Sequence, residues 1–272
     1  IVSSVPPSDP SSEPSGCLDP EPAGEDAAVS SPSSAQDEQA PASESPVPKH
    51  WAWLMALLVA AAGGTAVSLA CAPARAGRPD ILALIGGTYG LLLVGTVVWL
   101  ARRGELRRQL TPSRGDISIG ALLAVGTYML ATLGHHLLTP QGSVREPWIL
   151  RLYLQVGDPV VTAAWQVGLA VMAIAAVEEI VWRGWVQGAL SAAYGERRGW
   201  LMASALYGLA HLPTAMLLGD PSAGLNPLLP LAALGGGLIW GLLAWRFGRL
   251  APSVFAHMLL SWAVIEYPIW RM

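Results

Sequence analysis

Charge is what this sequence has least of. Asp, Glu, Lys and Arg make up 13% of its 272 residues, where an ordinary soluble domain carries about 25%. Apolar side chains fill the deficit: 53% of the chain is hydrophobic and its mean hydropathy is +0.44. They come in long runs, the pattern of helices that meet lipid on one side and one another on the other. Lysine is nearly missing, with Lys49 alone against fifteen arginines. Together with abundant Ala and Gly, that bias reads as GC-rich coding and a bacterial source. No segment is basic enough, or interleaved with enough aromatics, for nucleic acid to be a partner. Cys17 and Cys71 have neither CxxC nor metal-ligand spacing, so cysteine carries no functional message. The chain also lacks an HExxH zinc motif.

Residues 1–48 lack bulky apolar side chains almost entirely. Nine acids (Asp9, Glu13, Asp19, Glu21, Glu25, Asp26, Asp37, Glu38 and Glu44) stand there against the single base Lys49 just beyond. A segment so rich in Pro, Ser, Ala and acid cannot bury enough surface to offset its ordering entropy, and a disordered tail is expected. It has no basic stretch followed by an apolar core, so it does not read as a signal peptide. Residues 49–272 are expected to form one transmembrane helical bundle.

The apolar runs predict spans near 51–72, 80–101, 117–139, 159–182, 199–217, 225–247 and 249–269. Each has about 20 residues, enough for roughly 30 Å of hydrocarbon. Gly63–Gly64, Gly86–Gly87 and Gly235–Gly237 lie inside them, where small residues let helix backbones approach. The more polar stretch 183–198 reads as a short helix lying at the interface. The fold class is therefore all-α, a polytopic bundle of about seven to eight membrane helices.

With a cytoplasmic N-terminus and alternating spans, the inside receives Lys49, Arg102, Arg103, Arg107, Arg108, Arg114, Arg183, Arg197, Arg198, Arg246 and Arg249. The outside receives Arg75, Arg78, Arg145, Arg151 and Arg271. Eleven against five obeys the positive-inside rule, and the expected location is a bacterial inner membrane. Trp51, Trp53, Trp99, Trp148, Trp182, Trp185, Trp200 and Trp270 fall near span ends, as an aromatic belt requires.

Ionisable residues inside spans are costly, and each needs a reason. Here they are His135, His136, Glu178, Glu179, His211, His257 and Glu266. Glu178 and Glu179 are adjacent, so on a helix they point about 100° apart and cannot share one task. Glu179 and Arg183 are four apart in the favourable acid-first order and can pair, which leaves Glu178 free on another face. The bland reading of this segment is an interfacial charge cluster at a helix end. His211 lies near mid-span, one turn after Tyr207, and Pro213 should loosen the helix beyond it. His257 lies about two turns into the last span, with Ser261 one turn further on the same face. Taken singly, each histidine reads more simply as a hydrogen-bonded packing residue. His135, His136 and Glu266 read as interfacial.

Taken together they say more. One free carboxylate and two histidines come from three spans, and a base with an orienting partner is what activating a water requires. A second histidine beside a hydroxyl can donate to a developing oxyanion. Glu178-Glu179-x-x-x-Arg183, then Tyr207-x-x-x-His211, then His257-x-x-x-Ser261 resemble the three motifs of the CAAX protease and bacteriocin-processing (CPBP) family. The resemblance covers about 159–265.

The resemblance implies an all-helical intramembrane endopeptidase of the glutamic type. In it Glu178 would act with His211 to activate water, and His257 would help stabilise the oxyanion. Glu179, Arg183 and Tyr207 would orient them. The family pattern usually carries Asn four residues after the last histidine, where this chain has Ser261. The implied partners are membrane lipid and a peptide or membrane-anchored protein substrate, cut near its membrane-associated end. No cofactor is favoured. The rival enzyme reading has Glu178, His211 and His257 bind Zn²⁺, although no acidic partner for either histidine is visible in the sequence. A rival of another class is a non-catalytic membrane scaffold or immunity protein. A transporter is disfavoured, because the spans do not divide into two similar halves.

Overall fold

A computed structural model describes residues 47–157 and 164–271. The tail expected over 1–48 lies outside the described residues except at its last two positions. The described chain is helical; its sole bridge-type pairing joins Asp220 to Gly224. In order the helices are α1 (Lys49–Ala70), α2 (Asp80–Arg102), α3 (Leu106–Leu110), α4 (Asp116–Leu138), α5 (Glu146–Val156), α6 (Ala164–Glu179), α7 (Gly188–Tyr194), α8 (Glu196–Ala210), α9 (Thr214–Leu217), α10 (Leu228–Phe247) and α11 (Ala251–Glu266). A π-helical segment, Ile180–Gln187, joins α6 to α7 without a break.

Among the described residues five helices are long and apolar enough to cross a membrane: α1, α2, α4, the continuous Trp165–Tyr194 and α10. α11 is apolar but has 16 residues. The molecule is inside-out in the manner of a membrane bundle. Leu91 and Leu122 are 78% and 74% exposed on outer helix faces, where only lipid makes such apolar display favourable. The core is built from small residues of α1 (Ala52, Ala56, Val59) against Trp182, Val186, Ala203 and Tyr207.

Contacts between helix ends sort the bundle into two sides. At one, the Lys49 ammonium lies over the Tyr194 ring, Arg249 Nε donates to Asp116 at 2.9 Å and Leu250 N donates to the Gln109 carbonyl. At the other, Gln155 donates to the Ala70 carbonyl, Asn226 donates to the Trp148 carbonyl, Arg151 pairs with Asp220 and Ile269 N donates to the Tyr153 hydroxyl. The seven expected span regions therefore alternate in direction through the bundle.

Three expectations change. The stretch 183–198 is not an interfacial helix: Trp165–Tyr194 is one 30-residue apolar helix, and the chain turns back at Gly195, whose φ of 88° ends it. Trp182 and Trp185 accordingly leave the aromatic belt for the core, at 0% and 9% exposure. Arg183 leaves the count of loop charges, because it is buried mid-helix. The other inside and outside arginines remain near their assigned ends, so the charge asymmetry survives without it. Second, the span at 199–217 is not continuous. α8 stops at Ala210 after 15 residues, as Pro213 cannot donate to the ladder, and α9 resumes one turn later. Third, His135 is not interfacial but buried, its Nδ1 2.7 Å from Thr139 Oγ1.

Candidate active site

Glu178 and Glu179 are not at a helix end. They sit at the centre of the 30-residue helix, immediately before it widens into the π segment. Such segments are rare inside helices and recur at functional sites. Glu179 is fully buried. Its Oε2 accepts from Arg183 Nε at 3.2 Å, and its Oε1 lies 3.2 Å from His257 Nδ1. The acidic partner that the sequence did not reveal for either histidine is thus Glu179, brought to His257 across 78 residues. Beside a carboxylate, Nδ1 carries the proton, and Nε2 is the nitrogen left to face a substrate. The His257 ring also stacks on Trp240, centroids 4.0 Å apart and planes 15° off parallel. The imidazole is therefore held by a face and an edge, with one nitrogen free.

Arg183 reaches Glu179 through Nε alone; its two Nη groups are buried without a hydrogen-bond partner. The guanidinium instead lies over the Tyr207 ring, 5.3 Å from its centroid. Cation–π attraction of this kind partly offsets the loss of water. Tyr207 meets two further rings edge-on, Trp182 at 5.0 Å and His211 at 4.8 Å. It is the hub of the cluster.

His211 caps the C-terminus of α8, and its Nδ1 lies 2.9 Å from the Tyr207 carbonyl oxygen. A carbonyl only accepts, so Nδ1 bears the proton and Nε2 keeps its lone pair. The His211 carbonyl, released from the helix ladder at this break, accepts from the Thr214 hydroxyl. Glu178 is buried, with the phenols of Tyr89 and Tyr207 as electrostatic neighbours. Ser261, one turn beyond His257, is partly exposed and makes no hydrogen bond among the described residues.

Contacts thus run from His257 through Glu179, Arg183 and Tyr207 to His211, with Glu178 beside Tyr207. No direct hydrogen bond joins Glu178 to His211 or to His257 among the described residues. Nor do they line either of two cavities on the bundle. One, of about 710 Å³, lies between Leu54, Leu58, Ala62, Leu69, Leu84 and Thr88 of α1 and α2. The other, of about 390 Å³, is lined by Trp165, Leu169, Met172, Leu259 and Trp262 of α6 and α11. Among the described residues no three His, Cys, Asp or Glu side chains come together as a metal ion would need. Glu178, His211 and His257 are no exception, and Nδ1 of both histidines is already engaged.

Sequence reasoning missed three members of the cluster: Tyr89 on α2, whose hydroxyl accepts from Trp182 Nε1 at 3.0 Å, Trp182 itself and Trp240. Only Tyr89 carried a signal, as a single phenol in an otherwise apolar run.

Residues 160–263 match the model of the Rce1-like type II CAAX prenyl endopeptidases. This segment is similar to the Rce1-like CAAX endopeptidases. It contains every motif residue from Glu178 to Ser261, so the CPBP-type resemblance and the matched family coincide. No curated protein and no solved structure matches the chain. The Rce1-like core takes in α6 to most of α11. α1, α2 and α4 lie outside it, although α2 supplies Tyr89 to the cluster.

Proposed function

We propose that the reaction is glutamic, with Glu178 as the base. Glu178 and the Nε2 lone pair of His211 bind and polarise one water between them. As the water oxygen attacks the scissile carbonyl carbon, Glu178 takes the proton. The oxyanion that forms accepts from protonated Nε2 of His257, whose positive charge is matched by Glu179, with the Ser261 hydroxyl as a second donor. The carbon–nitrogen bond then breaks, and the proton held by Glu178 passes to the leaving amine. Positioned proton transfer of this kind contributes about 10²–10⁴-fold to rate.

One observation carries this reading: the Glu179–His257 contact, with His257 clamped on Trp240. It fixes the histidine with a single nitrogen available and a carboxylate behind it, the arrangement that suits an electrophilic donor. The proposed mechanism assigns no step to a metal, and sensitivity to a chelator is what separates it from the zinc reading of Glu178, His211 and His257.

The test uses the purified full chain and a fluorescence-quenched peptide that ends in a farnesylated cysteine followed by three residues, the substrate type in the family's description. Cleavage by the parent and its loss in Glu178→Gln are expected, unaffected by a chelator of divalent metals. Chelator inactivation reversed by Zn²⁺ would overturn the glutamic assignment. A comparison of membrane-protein termini in cells expressing parent or Glu178→Gln then identifies the substrate.

The arginine asymmetry supports a cytoplasmic N-terminus, with 102–116 inside and 140–158 outside. An impermeant thiol reagent on intact cells should label a single cysteine in the second loop and spare one in the first. The opposite pattern would invert the topology.

A further inference from the structure

The two tyrosines beside Glu178 differ in what holds them. Tyr207 is fixed by its ring, against Trp182, His211 and Arg183. Tyr89 is fixed by its oxygen. It is fully buried on α2, and α2 packs against both α6 and the π segment. The Trp182 indole, which can only donate, gives its hydrogen to the Tyr89 oxygen at 3.0 Å. On the other side, α1 passes so close that a Cβ on Gly63 would lie 2.6 Å from the same oxygen. The hydroxyl is thus held from two directions, and Gly63 leaves room for it only by having no side chain.

The Tyr89 oxygen accepts from Trp182, so its own proton still needs an acceptor. A buried donor without one is costly. Trp182 is four residues after Glu178 and shares its face of the helix, which puts Tyr89 on that face too. Glu178 is the carboxylate electrostatically coupled to the phenol. We infer that Tyr89 is a positioning residue for Glu178, its hydroxyl held by Trp182 and by the bare Gly63 backbone so that its proton points at the carboxylate. One Glu178 oxygen is then occupied by Tyr89, and the other turns toward the water. This inference rests on Glu178 being the base. It makes α1 and α2, outside the family-matched segment, part of the working site: α1 supplies a gap, α2 a phenol.

The experiment compares the parent, Tyr89→Phe, Gly63→Ala, the double variant of these two, and Glu178→Gln. Each is the full chain in detergent, assayed on the farnesylated peptide, with rates normalised to the monodisperse folded fraction. Tyr89→Phe keeps the ring and removes only the oxygen. Loss of a hydrogen bond to a charged group predicts a fall in kcat of about tenfold, with KM changed less than about twofold. Gly63→Ala should lower kcat comparably, because the added methyl displaces the hydroxyl. In the Tyr89→Phe background, where there is no oxygen to displace and only the ring carbon at 3.1 Å must give by a few tenths of an ångström, Gly63→Ala should cost much less than it does in the parent.

That non-additivity separates positioning from packing, since two independent packing defects would add. If Glu178→Gln is dead while Tyr89→Phe keeps the parental kcat, the positioning role falls and the proposed base stands. If Glu178→Gln cleaves at the parental rate, both fall. Additive losses in the double variant, or a change in KM alone, would also overturn the inference. Should Tyr89→Phe fail to purify, Gly63→Ala decides alone, and an unchanged kcat in it counts against the role.

Discussion

The two long helices α4 and Trp165–Tyr194 have similar apolar composition and opposite insides. Of the most apolar stretch of α4, 11% is buried; of Trp165–Tyr194, 39% is. α4 shows Ile117, Leu122, Val125, Met129 and Leu133 outward and keeps its acidic residue, Asp116, at its end against Arg249. Trp165–Tyr194 carries Glu178, Glu179 and Arg183 through its middle and buries all three. Both helices satisfy lipid, but only one uses its inner face for charge. A buried carboxylate in hydrocarbon is tolerated when paired or when chemistry requires it; Glu179 is of the first kind, and the proposed mechanism puts Glu178 in the second. Glu179 is paired on both oxygens, and Glu178 stands beside phenols.

The sharpest way to break the comparison is to neutralise each glutamate. Glu178→Gln keeps the size of the side chain and leaves no ion pair broken. Turnover should fall by about 10²–10⁴-fold while folded yield is unchanged. The same measurements on Arg183→Ala should reverse the pattern. Removing one partner of a fully buried pair leaves the other charge uncompensated, which costs about 3–5 kcal/mol. The Arg183 and Glu179 side chains are both 0% exposed, so the loss should appear in monodisperse yield and in melting temperature. As a control in the other region, Arg249→Ala breaks a pair whose arginine is 24% exposed at a helix end. It should cost less: the Asp116 carboxylate left behind is itself 0% exposed, but it keeps the Ser113 N–H as a donor and lies at a helix end, where loss of the partly exposed arginine opens it to water. Equal losses from the two arginine variants would show that depth in the bundle does not set the cost.

Much of this arrangement is readable in the sequence, and what is not shares one cause. The apolar runs predict the helices because their composition is local. The spacing of Glu179 and Arg183 predicts their contact because four residues make one helical turn. Continuity through 183–194 is not readable, since Arg183, Gln187 and the two tryptophans look polar or interfacial until their neighbours are known. The same holds for Glu179 meeting His257, Trp240 under the imidazole, and Tyr89 at Trp182. Each joins residues tens of positions apart, and which helices pack together is not written in any single one of them.

The smallest effect lies at Ser261, where the family-matched segment departs from its own pattern. His257 is held by contacts the structure displays, whereas Ser261 is partly exposed and without a hydrogen bond. A donor used only as charge develops on the carbonyl oxygen needs no partner beforehand, and removing one such donor typically costs about 10²–10³ in turnover. The serine hydroxyl is shorter than an asparagine amide, so part of that benefit is already missing. Ser261→Ala should therefore lower kcat by less than His257→Ala does, with KM little changed. Ser261→Asn should maintain or raise kcat, because it restores the reach of the usual residue. Steady-state kinetics of the three variants on the farnesylated peptide decide between a donor and a packing role. If Ser261→Ala matches the parent while Ser261→Asn is inactive, position 261 only fills space beside Leu260 and Trp262, and the second oxyanion donor lies elsewhere in the cluster.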